Sequence, residues 1–192
     1  MAGIQSTNVS NIEVLQLGNT ASNYVNLVGT TGWSIPTITG GADVQNFITT
    51  FNLNASVTLV GGNLSDDITA GNFADRLQGY IGAEALNANN DTLSGGGAVD
   101  TFVLGDATGN AYALDNTGAP VAYINGFDEG IDIFRLWNNN GLGNGAGYTV
   151  ALSAGTVYSV TDTLDPLKGL VAYVDVQTGT PANILTTSAS WA

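Results

Sequence analysis

Five carboxylates in the middle of the sequence each stand two residues ahead of an apolar side chain: Asp66 before Ile68, Asp75 before Leu77, Glu84 before Leu86, Asp91 before Leu93 and Asp100 before Phe102. Four of the five follow stretches rich in glycine and asparagine, namely Gly61-Gly62-Asn63, Gly71-Asn72, Gly79-Tyr80-Ile81-Gly82 and Gly95-Gly96-Gly97. Glycine lets a chain turn tightly with its carbonyls outward, and a short Asp adds a charged oxygen pair to the same turn. Such oxygens suit a hard divalent cation, calcium above all. The candidate metal ligands are therefore Asp66, Asp75, Glu84, Asp91 and Asp100, with Gly61, Gly62, Asn63, Asn72, Gly95 and Gly97 on the turns. Asp128 and Asp132, with Glu129 beside them, form a further candidate cluster, whose plainer reading is a solvated turn that orients Arg135 by a salt bridge.

The charge balance points the same way. Sixteen acidic residues against three basic ones leave the chain at −13. That repels phosphate backbones and anionic bilayers, so no nucleic-acid partner is expected. No apolar run approaches the roughly 20 residues that span a bilayer, so no membrane insertion is expected either. The carboxylates must be solvated or neutralised by cations; the bland alternative is that acidity only supplies solubility. The sequence has no histidine and no cysteine. Disulfides, a helical zinc-protease motif and a Ser-His-Asp triad are thereby absent, and nothing marks a carboxylate pair as a glycosidase cleft. No enzyme is expected.

Short β-strands must position these residues. Between residues 12 and 60 apolar residues alternate in brief pieces at 12–17, 24–28, 35–38 and 47–53, parted by Gly, Asn and Thr. A sharper rhythm follows: Leu59, Ile68, Leu77 and Leu86 stand nine residues apart and, after a two-residue slip, Leu93 and Phe102 do so again. A repeat of this length predicts a solenoid. Beyond it, strands are predicted at 111–114, 121–124, 131–137, 148–152, 156–160 and 170–176, with a connecting loop at 138–145. The expected organisation is a β-solenoid over 1–104, clearest at 57–104, and a non-repeating β cap or sandwich over 105–192.

Gly61-Gly62-Asn63-Leu64-Ser65-Asp66-Asp67-Ile68-Thr69 and the units after it resemble the RTX nonapeptide G-G-x-G-x-D-x-U-x, and 122–136 resembles the segment that follows RTX repeats in serralysin-type C-terminal regions. The resemblance implies an all-β fold, a calcium-binding parallel β-roll, with Asp66, Glu84 and Asp100 along one edge, Asp75 and Asp91 along the other, and calcium between stacked turns. Departures are visible: the fourth position, normally Gly, is Leu64, Phe73 and Ala98, and Glu84 replaces Asp. One or two ions rather than one per repeat are expected; stacking by Asn and Thr ladders without metal is the alternative. The resemblance also implies export by a one-step route whose signal is a small, uncharged C-terminal tail such as residues 185–192, which read equally well as a final strand. The expected function is an extracellular, calcium-binding structural protein, such as a surface-layer or filament subunit, associating through strand edges. The competing reading is an accessory module of a larger secreted enzyme or adhesin. A cell-surface glycan is a further candidate partner, with Trp33, Trp137 and Trp191 as stacking surfaces, although isolated aromatics in β proteins more often anchor a core.

Overall fold

A computed structural model of the chain describes residues 12–27, 35–51, 53, 55–81, 90–105, 111–112, 121–137, 147–164, 169–178 and 189–191. All regular structure among them is β, with no helix. The strands are β1 (Val14–Gln16), β2 (Asn23–Asn26), β3 (Thr37–Thr39), β4 (Asn46–Thr49), β5 (Thr58–Gly62), β6 (Asp67–Thr69), β7 (Arg76–Tyr80), β8 (Asp91–Ser94), β9 (Thr101–Val103), β10 (Ala122–Asp128), β11 (Ile133–Leu136), β12 (Tyr148–Ala154), β13 (Val157–Asp162), β14 (Leu170–Thr178) and β15 (Ala189–Trp191).

From β1 to β11 successive strands alternate between two sheets. Sheet A has the order β1-β3-β5-β7-β9-β11-β15 and is parallel throughout. Sheet B has the order β12-β13-β14-β10-β8-β6-β4-β2; β2 to β14 run parallel, and β13 and β12 extend the sheet antiparallel. Both sheets are open, with β1 and β15 at the edges of A and β2 and β12 at the edges of B.

One inward row per sheet builds the core. In sheet A, Ile38, Leu59, Leu77, Phe102 and Phe134 lie in register, and in sheet B, Ile48, Ile68, Leu93, Ile124 and Val174 do. All ten are buried. Burying each such side chain contributes about 1.5–3 kcal/mol, and period-two alternation turns the neighbours outward. The nine-residue rhythm is thus a step from one sheet to the other, and the in-register neighbour of Leu59 is Leu77, eighteen residues on.

Residue 104 marks no break in the pairing, because β10 lies in register on β8 and β11 on β9. The strands predicted at 121–124, 131–137, 148–152, 156–160 and 170–176 are present. Of the strand predicted at 111–114, the described residues Ala111 and Tyr112 form a bend; residues 113–114 and the loop at 138–145 lie outside the described residues.

Candidate functional site: two ladders of buried side chains

The strand alternation creates two rows of turns. Where the chain passes from sheet A to sheet B, the residue entering the new strand is Asn23, Asn46, Asp66 or Asp91; where it passes from B to A, it is Val57, Asp75, Asp100 or Asp132. Asp66 and Asp91 therefore share one edge, and Asp75, Asp100 and Asp132 the other. This corrects the expected grouping of Asp66 with Asp100 and of Asp75 with Asp91. The cause lies between β7 and β8: Asp75 is followed by one sheet change before Asp91, not two, so every later turn moves to the opposite edge. Glu84 and Leu86 fall in that segment, at 82–89, outside the described residues.

Each edge is a ladder of hydrogen bonds. On the first, the Asn23 amide donates to Asn46 Oδ1 at 2.8 Å, the Asn46 N–H and amide donate to Asp66 Oδ1 at 2.6 and 2.8 Å, and the Asp66 N–H donates to Asp91 Oδ1 at 2.8 Å. On the second, the N–H groups of Val57, Asp75 and Asp100 donate to Oδ1 of Asp75, Asp100 and Asp132 at 2.8, 2.9 and 2.9 Å. The other oxygen usually closes the residue's own turn: Gly62 N–H donates to Asp66 Oδ2, Gly71 N–H to Asp75 Oδ2 at 3.1 Å and Asp128 N–H to Asp132 Oδ2 at 2.9 Å. Asp91 Oδ2 instead accepts the Tyr112 hydroxyl at 2.7 Å.

These five aspartates are buried, none more than 3 % exposed. Removing a carboxylate from water disfavours its charged form, and burial is the leading cause of every shift. Asp66 rises to about 6 although Gly62 and Asn46 donate to it. Asp100 rises to about 7, with the nearby carboxylates of Asp132, Asp75 and Asp128 adding to burial. Asp75 and Asp132 rise as well.

The glycines make room for the carboxylates. A Cβ on Gly61 would strike Asp66 Oδ2, and one on Gly95 would strike Asp100 Oδ2. Gly62 packs on the Gly41 carbonyl of the neighbouring turn. Asn63 N–H and Gly97 N–H bond back to the Ala42 and Gly71 carbonyls at 2.7 and 2.9 Å, while Asn72 is exposed. Asp128, half-buried at the end of β10, accepts the Asp132 N–H at 2.8 Å through its carbonyl. The predicted salt bridge to Arg135 does not form: Asp132 is turned into the ladder, and Arg135, three residues on, points out of sheet A.

Asp100 differs from its counterparts. Its Oδ2 is buried with no hydrogen-bond partner. The turn before it also differs, with Gly96 at φ 107° and Ala98 at φ 70°. Among the described residues, Leu64 and Phe73 at the same repeat position do not take a positive φ. An L-residue held left-handed costs about 1–2 kcal/mol, part of which glycine recovers. Ala98→Gly is therefore expected to raise stability by about 0.5–1 kcal/mol, read as a higher urea midpoint at unchanged m-value.

Several ladder members were missed by the sequence reading. Asn46 and Asn23 stand two residues before Ile48 and Val25, the same spacing as Asp before its anchor, with Asn in place of Asp. Tyr112 and Val57 carried no such signal. Of the tryptophans, Trp33 lies outside the described residues, as does the side chain of Trp191; Trp137 is half-buried, its carbonyl accepting the Tyr148 hydroxyl at 3.0 Å.

Among the described residues no three His, Cys, Asp or Glu side chains converge around a point that could hold an ion. The arrangement stacks turns, and among the described residues Asp100 Oδ2 is the one buried side-chain oxygen it leaves without a partner. No family model matches the sequence, and no curated protein matches it significantly.

Proposed function

We propose that this chain is an extracellular, non-catalytic β-roll whose turns are stacked by inward aspartates, which binds calcium at the turn before Asp100 and associates with further copies through its open strand edges. The observation that carries the reading is the fully buried Asp100 Oδ2 without a partner, on the one turn among the described residues with two left-handed residues. A buried carboxylate oxygen lacking a donor costs several kcal/mol unless it is protonated or meets a cation. Asp100, with main-chain oxygens of Gly95, Gly96 and Gly97, would hold the ion, which would supply the missing partner and lock the turn. Strand alternation between two sheets supports the roll. Aspartates spent on holding turns are not free to act as acids, bases or nucleophiles, which supports a structural role.

One carboxylate ligand already claimed at Oδ1 makes a weak site, with a Kd of about 10⁻⁴–10⁻³ M, the range of extracellular modules. Calorimetric titration of the metal-free chain with calcium is expected to give one site in that range, and the melting temperature is expected to climb with calcium. Asp100→Asn keeps an oxygen for the Asp75 N–H but loses the charge, and is expected to abolish the heat while leaving the far-ultraviolet spectrum intact. Absence of binding in the parent chain overturns the calcium reading. Sedimentation with calcium and with chelator separates the two structural roles: polymers favour a filament or surface-layer subunit, and a calcium-binding monomer favours a module of a larger secreted protein.

A further inference from the structure

The sequence holds only three basic residues, and two of them, Arg76 and Arg135, share the outer face of sheet A. Register fixes their places: Arg76 is level with Thr101 and Ile133, and Arg135 with Val103 and Gln78. The two side chains thus rise on either side of β9. Arg76 is half-buried, and its pKa is lowered by that burial and then by the Arg135 charge. Neither guanidinium has a carboxylate partner among the described residues. Two like charges on a rigid parallel sheet cannot move apart through the backbone, so an anion between them relieves both, and the guanidinium fork is matched to a carboxylate.

The outer face of sheet B offers the complement. Tyr24, Phe47, Asp67, Thr92, Tyr123 and Tyr173 form one outward row in register. Tyr24 stacks on Phe47 at 4.6 Å and Tyr123 on Tyr173 at 5.6 Å. Tyr24 and Tyr123 are exposed, as is Asp67 between the pairs. An exposed carboxylate thus stands mid-row, with Phe47 on one side, Thr92 on the other and an aromatic pair towards each end.

We propose that the outer face of sheet A receives the outer face of sheet B of a second copy, with that copy's Asp67 seated between Arg76 and Arg135. The net charge of −13 does not forbid it. Screening extends about 10 Å at 0.1 M salt, so faces in contact respond to the charges nearest them, which here are opposite. The contact joins two different faces, so each copy keeps one of each free, and the product is an open stack rather than a closed dimer. This inference rests on the self-associating reading for the identity of the occupant, but it uses sheet faces where that reading uses strand edges.

Sedimentation velocity of the full chain over a concentration series tests it. Asp67→Arg alone, and Arg76→Asp with Arg135→Asp, are each expected to weaken association about tenfold, and the three changes in one chain to restore it. Raising salt to 1 M is expected to dissociate the parent chain. Unchanged melting temperature and calcium heat show that each variant is folded. A parent chain that is monomeric at every concentration overturns the face contact and self-association together while leaving calcium binding standing. Association that survives both charge reversals overturns the face contact alone and leaves the strand edges to carry assembly.

Discussion

Replacing Asp66 with alanine is expected to lower unfolding free energy by about 3 kcal/mol or more, by the same amount with calcium and with chelator. Asp66 accepts from the Asn46 N–H, the Asn46 amide and the Gly62 N–H inside the protein. Each bond to a charged acceptor contributes about 1.5–3 kcal/mol, and each donor left buried without a partner costs a comparable amount. The cost of burying the carboxylate, visible in its raised pKa of about 6, offsets part of that loss, which is why the expected figure lies below the simple sum. Against a total stability of about 5–15 kcal/mol for a domain, the loss is severe. Asp66→Asn is expected to recover about half, since one amide oxygen can still serve Asn46 while the amide nitrogen meets the Gly62 donor. Urea unfolding at fixed pH provides the measurement. A loss under 1 kcal/mol would sink the ladder. A loss confined to calcium-containing buffer would make Asp66 a metal ligand instead of a ladder rung.

The parts of this architecture that the sequence makes legible are those that periodicity encodes. Ile68, Leu77, Leu93 and Phe102 had to face inward because the alternation around them is strict, and all four are buried in register with their neighbours. Which edge each aspartate occupies was not legible. That depends on the step from β7 to β8, which pair directly with β9 and β6 respectively and so stand one sheet change apart, where the nine-residue count predicts two. The direction of the carboxylates was hidden for another reason: a glycine turn with an Asp reads identically whether the side chain faces solvent, an ion or the N–H groups of the next turn. Val57 shows the limit most plainly. The ladder needs only its N–H, which every residue except proline supplies, so its side-chain type could carry no signal. Tyr112 reaches Asp91 from twenty-one residues away, a meeting that only the folded sheets bring about.

In calcium-free buffer the protein is expected to become more stable, not less, as pH falls from 8 to 5. The folded values, about 7 for Asp100 and about 6 for Asp66, stand above the ordinary 3.8, and Asp75 and Asp132 are shifted the same way. Between 3.8 and the raised values the unfolded chain has released these protons while the folded chain keeps them. Stability falls with rising pH wherever the folded state binds more protons, so this contribution is complete below about 4, is lost on the way up to about 7 and is flat beyond. Relief of mutual repulsion in a chain of −13 adds to the gain on acidification. Calcium should reverse the trend at its upper end, because ion and proton compete for Asp100: the calcium-induced rise in melting temperature is expected to shrink as pH drops through 7. Melting curves from pH 8 to 5, in chelator and in excess calcium, check both halves. Asp100→Asn is expected to flatten the chelator curve between pH 6 and 7 and leave the lower part, where Asp66 titrates. A melting temperature in chelator that falls steadily from pH 8 to 5 would mean that the aspartates are ionised in the folded state, the ladder's N–H donors outweighing the cost of burial, and the upward pKa shifts would then be overturned.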